Sequence, residues 1–157
     1  MDLNHLRADG TAHMIDVSAK EVTTRTATAR GRVRLSHAAI EALRGGTVPK
    51  GDALGVARIA GIQAAKRTPD LVPLAHPVAV HAVEVDLEVL QDAVAISAMV
   101  RTADRTGVEM EALTCVSVAA LALVDMIKAV DREATIEGVQ VVSKSGGRSG
   151  DWVRGDA

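Results

Sequence analysis

Aromatic residues are almost missing from this 157-residue chain: they make up 1%, with no Tyr, no Phe and one Trp. A core must then be built from Ala, Val, Ile, Leu and Met. A row of aromatic platforms for stacking single-stranded nucleic acid is excluded. Cysteine is limited to Cys115, so neither an intrachain disulfide nor a Cys-based zinc site can form. No excess of one charge exists either: Lys plus Arg is 18, Asp plus Glu is 20, and the net charge is -2. A dedicated DNA- or RNA-binding protein would carry a basic excess. The longest apolar run, Val116 to Val124, holds Ser117 and stops at Asp125, far short of the roughly 20 residues a membrane span needs. Met1 to Gly10 is polar and lacks a signal-peptide core. The expectation is a cytoplasmic, reduced setting with no membrane and no nucleic acid.

What is present fits one globular domain spanning 1–157, with about 1–12 and 145–157 expected to be flexible. Hydrophobic residues are 48% and charged residues 24%, ordinary values for a folded domain. A chain of this length buries about 68% of its unfolded surface. Met14 to Leu35 reads as strand, with Arg30, Arg32 and Arg34 on one basic face. Ser36 is placed to cap a short helix, His37 to Arg44, ended by Gly45-Gly46. Asp52 is placed to cap a second helix reaching Arg67, in which Gly55 and Gly61 suit close approach of another backbone. Thr68-Pro69 predicts a stop and a Pro-rich loop. His81 to Leu90 and Asp92 to Arg101 alternate as a hairpin, Gly107 to Val130 is the longest helix, and Thr135 to Ser143 is a last strand before a flexible basic loop. The order implies an α+β fold, a mainly antiparallel sheet with helices on one face.

The long helix carries the most informative polar positions. Glu111 and Asp125 share a face but stand about 21 Å apart along the axis, so they cannot act together on one bond. Lys128 is the surface neighbour of Asp125. On spacing alone the two form an exposed ion pair. Their apolar setting of Val124, Met126, Ile127 and Val130 points instead to a lysine partly withdrawn from water, hence a usable acid or base. His76 is held extended by Pro77, and a rigid loop histidine suits proton transfer as well as it suits simple loop hydrogen bonding. His76 and His81 lack the spacing and partners of a metal site. Lys50 precedes a helix N-terminus, and Lys144 to Gly150 sets cations among small residues; both suit phosphate, and each alone reads equally as a turn or tail. Lys20 and Arg25 would by default be solvated. These arguments reach a small phosphorylated substrate without naming a reaction.

Four blocks in this order resemble the molybdenum cofactor biosynthesis protein C family: His13 to Lys20; Lys50-Gly51-Asp52 with Ala57 to Thr68; Gly107 to Thr114; and Lys144-Ser145-Gly146-Gly147. Leu74-Ala75-His76-Pro77, Asp125-Met126 and Lys128-Ala129-Val130 also fit, and the likeness runs from about Leu3 to Trp152. The resemblance implies a ferredoxin-like fold, a homohexamer built as a trimer of dimers, and active sites between subunits. It implies a lyase that takes 3′,8-cyclised dihydro-GTP to cyclic pyranopterin monophosphate and pyrophosphate, with no required cofactor and room for Mg²⁺ on the triphosphate. Residue by residue it assigns Asp125, Lys128, Lys50 and His76 as catalytic, with Lys128 beside Asp125 and Lys50 and His76 at pocket positions. It places Leu74, Ala75, Met110 and Glu111 against the substrate, with Asp16, Lys20, Arg25 and Lys144 as further polar contacts. Two positions depart from the family's usual pattern: Ala75 stands where a cysteine is usual, and Val124 where tyrosine is frequent. The competing reading is a non-catalytic phosphate-binding regulatory oligomer on the same scaffold. Asp125, Lys128, Lys50 and His76 together favour the enzyme, because binding alone needs cations but no proton-transfer groups.

Overall fold

The computed structural model describes residues 5–155. Its elements run β1 (Thr23–Arg34), α1 (His37–Gly45), α2 (Ala53–Ala65), α3 (Thr68–Leu71), β2 (Val80–Val89), β3 (Ala93–Asp104), α4 (Glu109–Ile127), β4 (Thr135–Ser145) and β5 (Trp152–Val153). The strands form one sheet in the order β2-β3-β1-β4-β5, and every pairing is antiparallel. The β1-α2-β2-β3-α4-β4 core in this order is the split β-α-β arrangement of ferredoxin-like α+β folds.

The helices begin and end where local chemistry directs. Ser36 Oγ accepts from the Ala39 N–H at the start of α1, and Gly46 closes it at φ +66°. Asp52 accepts from the Gly55 N–H at the start of α2. A Cβ on Gly55 would meet that same carboxylate rather than a second backbone, so Gly55 serves the cap and not a helix crossing. Gly61 does mark a crossing: its missing Cβ would lie 3.0 Å from the Cys115 carbonyl oxygen and 3.1 Å from the Ala119 Cβ. Small residues thus let α2 and α4 approach closely, which suits an interior without aromatics.

The core lies between the sheet and these two helices. Ala27, Ala29 and Val33 of β1 and Val94, Ile96, Ala98 and Val100 of β3 meet Ala112, Cys115, Val116, Ala119 and Leu123 of α4, all buried. α4 has the length and apolar character of a spanning helix, extending beyond the Val116 to Val124 run. That character serves burial against the sheet and α2. The basic row Arg30, Arg32 and Arg34 falls on the helix-free face, where Arg32 Nε donates to Glu137 at 2.7 Å.

Besides the role of Gly55, three expectations change. Met14 to Val22 is irregular rather than strand, since β1 begins at Thr23. Thr68-Pro69 does not simply end a helix: Pro69 sits in the first turn of α3, where its missing N–H is not needed. The expected flexible segment from 145 instead begins inside β4 and returns as β5, pairing Trp152 with Lys144 and Val153 with Ser143. Gly146, Gly147 and Gly150, all at positive φ, make the tight return that backbone ladder bonding requires. Of the ends expected to be flexible, residues 1–4 and 156–157 lie outside the described residues.

Candidate active site

The sequence-predicted site residues gather at the two ends of α4. At its C-terminal end, Asp125 stands between two ammonium groups. Lys128 Nζ donates to its Oδ1 at 2.7 Å, and Lys50 Nζ, from the turn before α2, donates to its Oδ2 at 3.1 Å. These bonds, Lys128's first, hold the Asp125 carboxyl below its ordinary value of 3.8. All three side chains face solvent in the single chain, Lys50 41% exposed and Asp125 and Lys128 57% each. The expected withdrawal of Lys128 from water is therefore not met within one subunit: Met126 and Ile127 turn into the core while the lysine projects away from them.

At the N-terminal end a cavity of about 600 Å³ is lined by Leu74, Ala75, His76, Met110, Glu111 and Lys144, together with Lys20, Trp152 and neighbours. Glu111 is 3% exposed. Burial pushes its carboxyl from 4.5 up to about 7, and the Glu109 carboxylate adds to the rise. The backbone N–H at the helix start acts in the opposite sense but does not overcome desolvation. A carboxyl poised near neutrality can either give or take a proton. His76 Nε2 meets the Ile15 carbonyl oxygen. A carbonyl can only accept, so this nitrogen carries the hydrogen and Nδ1 is left as the basic position.

The cationic groups continue around the cavity. Lys144 Nζ bonds Ser149 Oγ at 2.7 Å and lies 3.4 Å from Glu109 Oε1. Arg25 Nε donates to the Asp104 carbonyl at 3.1 Å, and Arg25, Lys20 and Lys144 share a second, adjoining cavity of about 210 Å³. Asp16 lies outside both. Its carboxyl accepts from the Ser18 N–H at 2.8 Å, which holds it below its ordinary value, with a smaller contribution from His76. Among the described residues no group of three or more His, Cys, Asp or Glu side chains is arranged to hold a metal ion.

Residues 14–147 match the MoaC family. This chain belongs to the MoaC family. Its relatives include the "Cyclic pyranopterin monophosphate synthase" of Streptomyces griseus subsp. griseus, 64% identical over 152 residues, which cover 97% of this chain and 86% of the relative. The protein of the same name from Streptomyces coelicolor is 62% identical over 97% of this chain and 89% of the relative. That from Nocardioides sp. is 61% identical over 97% of this chain and 95% of the relative.

Within this MoaC-family chain, Glu111 and Asp125 fall into separate constellations, as their sequence separation of about 21 Å requires. None of Lys50, Asp125 and Lys128 lines the cavity that holds Glu111. Three participants escaped the sequence reading. Ile15 fixes the His76 ring through a backbone carbonyl, for which no side-chain signal exists. Glu109 was legible as the third residue of a matched block but not as a partner of Lys144, since that contact joins the start of α4 to β4, far away in sequence. Trp152 lines the cavity, and its rarity in the chain was the available signal.

Proposed function

We propose that this chain acts as a cyclic pyranopterin monophosphate synthase, a lyase of molybdenum cofactor biosynthesis in the cytoplasm. The observation that carries it is the Lys50–Asp125–Lys128 cluster on a chain 61–64% identical, over 97% of its length, to proteins bearing that name. In this reading cyclised dihydro-GTP loses pyrophosphate. Water opens the purine ring, a new ring closes, and the remaining phosphate becomes cyclic. Those steps need several proton carriers near one ligand and cations at its triphosphate.

The two constellations divide this work. Lys20, Arg25 and Lys144 surround a small polar cavity sized for phosphate groups. Leu74, Ala75 and Met110 supply apolar contact to the ring system, while His76 and Glu111 stand beside it as proton carriers. Asp16 lies near His76, whose ring adds a small part to the lowering of the Asp16 carboxyl. Asp125, kept ionised by Lys50 and Lys128, orients the ammonium groups that deliver protons and offset developing negative charge. Mg²⁺ enters only as a counter-ion of the triphosphate, and the chain requires no cofactor of its own.

The active assembly is a homohexamer, a trimer of dimers, with each site shared between subunits. The separation of the two constellations along α4 supports this, because one ligand cannot span them within one chain. Ile59 on α2 and Leu121 on α4, 64% and 60% exposed, give the outer helical faces apolar area to bury on assembly. The test is direct: the purified chain, given cyclised dihydro-GTP, releases pyranopterin product and pyrophosphate in equal amounts. Absence of both products from a correctly folded preparation overturns the reading.

A further inference from the structure

We infer that Trp152 is the ring-stacking wall of the substrate cavity, the side chain against which the bicyclic purine-derived ring lies. This deepens the synthase reading and rests on it for the identity of the ligand. The chain's single aromatic residue takes no part in the aliphatic core. It stands 42% exposed on the border of the same cavity as His76, Met110 and Glu111. A tryptophan retained for packing would be driven inward by the large apolar area it offers. One left at a cavity mouth presents that area to something else.

The surroundings hold the indole in place before any ligand arrives. β5 fixes its backbone through the Lys144–Trp152 register. The Arg154 guanidinium lies over the ring, 5.5 Å from its centroid, and is itself tied down by Nε donating to the Val141 carbonyl at 2.6 Å. One face of the indole is thereby covered by a cation, a favourable pairing, and the ring is held in one orientation. Its cross-strand neighbour Lys144 brings an ammonium group alongside. A flat apolar surface next to a cation is what an aromatic heterocycle bearing phosphate requires, and stacking on an aromatic side chain is a strong, hydrogen-bond-independent contact.

With no tyrosine in the chain, intrinsic emission reports this position alone. Titration of the wild-type protein with cyclised dihydro-GTP, or with GTP as a stable analogue, should quench Trp152 emission saturably, after correction for absorption by a parallel titration of free tryptophan. Inorganic tripolyphosphate should not. Trp152→Leu should raise KM roughly ten-fold or more with a smaller change in kcat, and Trp152→Phe should restore most of the loss. If wild-type protein turns over while neither emission nor KM responds, the assignment of Trp152 falls and the synthase reading stands. If emission is quenched by nucleotide with no turnover, the wall stands and the synthase reading falls. Equal quenching by tripolyphosphate overturns the stacking contact.

Discussion

Glu111 offers the most quantitative test of the site, because stability and function should respond to it in opposite directions. Its carboxyl is raised from 4.5 to about 7 by burial. Such a group binds its proton more tightly in the folded chain than in the unfolded one. At pH below 4.5 it is protonated in both states and costs nothing. As pH climbs, the unfolded chain releases the proton first and stability falls, until the loss levels off above pH 7. At about 1.4 kcal/mol per tenfold in proton affinity the full loss is roughly 3 kcal/mol. Glu111→Gln keeps the shape and removes the titration. At pH 8 the variant should be more stable than the wild type by about 3 kcal/mol, and at pH 5 by less than about 1 kcal/mol. For a chain of this size that is a melting temperature higher by about 6–12 °C at pH 8. The assay is urea unfolding followed by circular dichroism across pH 5–8, at one protein concentration so that assembly does not shift the curves. Turnover of the same variant should fall sharply. A stability difference that does not change with pH, or a variant less stable at pH 8, would refute the assignment of a buried, neutral-poised carboxyl.

Lys50→Ala and Lys128→Ala should each abolish turnover while changing stability by under about 1 kcal/mol, since exposed ion pairs contribute little; unchanged pyrophosphate release in both would remove these lysines from the chemistry. Mixing inactive Lys128→Ala subunits with inactive His76→Ala subunits, after mild dissociation and reassembly, should restore turnover, because some hybrid sites then draw both intact groups from different chains. Failure of properly assembled hybrids to recover any rate would place both groups in one subunit's site. Gly31→Ala should destabilise the fold by about 1–3 kcal/mol in urea titrations, because the new Cβ would stand 2.9 Å from Val116 Cγ1 and 3.0 Å from Val139 Cγ2; a neutral effect would show that α4 can lift off the sheet at little cost.

Much of the fold was legible in the sequence because local rules governed it. Ser36, Asp52 and Gly46 act at the helix ends where their chemistry placed them, and the β2–β3 hairpin follows its alternating pattern. The misreadings arose where distant contacts decide. Met14 to Val22 has strand-like composition, but among the described residues no strand pairs with it. Residues 145–151 have the composition of a loose tail, yet the pairing of Trp152 with Lys144 closes them into a turn. The site followed the same division. Spacing along α4 showed that Glu111 and Asp125 must work apart, since helical rise is a local quantity. The Lys50–Asp125 bond, the Ile15 carbonyl behind His76 and the Glu109–Lys144 approach all join residues far apart in sequence. Periodicity cannot join such pairs; the family resemblance placed Lys50 and Asp125 in one catalytic set but gave neither the Ile15 nor the Glu109 contact.

Gly147 closes the Lys144 to Gly147 block against the side chain of Arg25. A Cβ at Gly147 would sit 2.1 Å from Arg25 Nη1, and the backbone there holds φ +80°. The missing side chain is the slot through which the guanidinium passes. Any larger residue at 147 would evict Arg25 as well as strain the turn, so one position is written twice into the chain: as a bend in one strand's exit and as clearance for an arginine on another. Substitution there should mimic loss of Arg25 even though no atom of Gly147 carries charge.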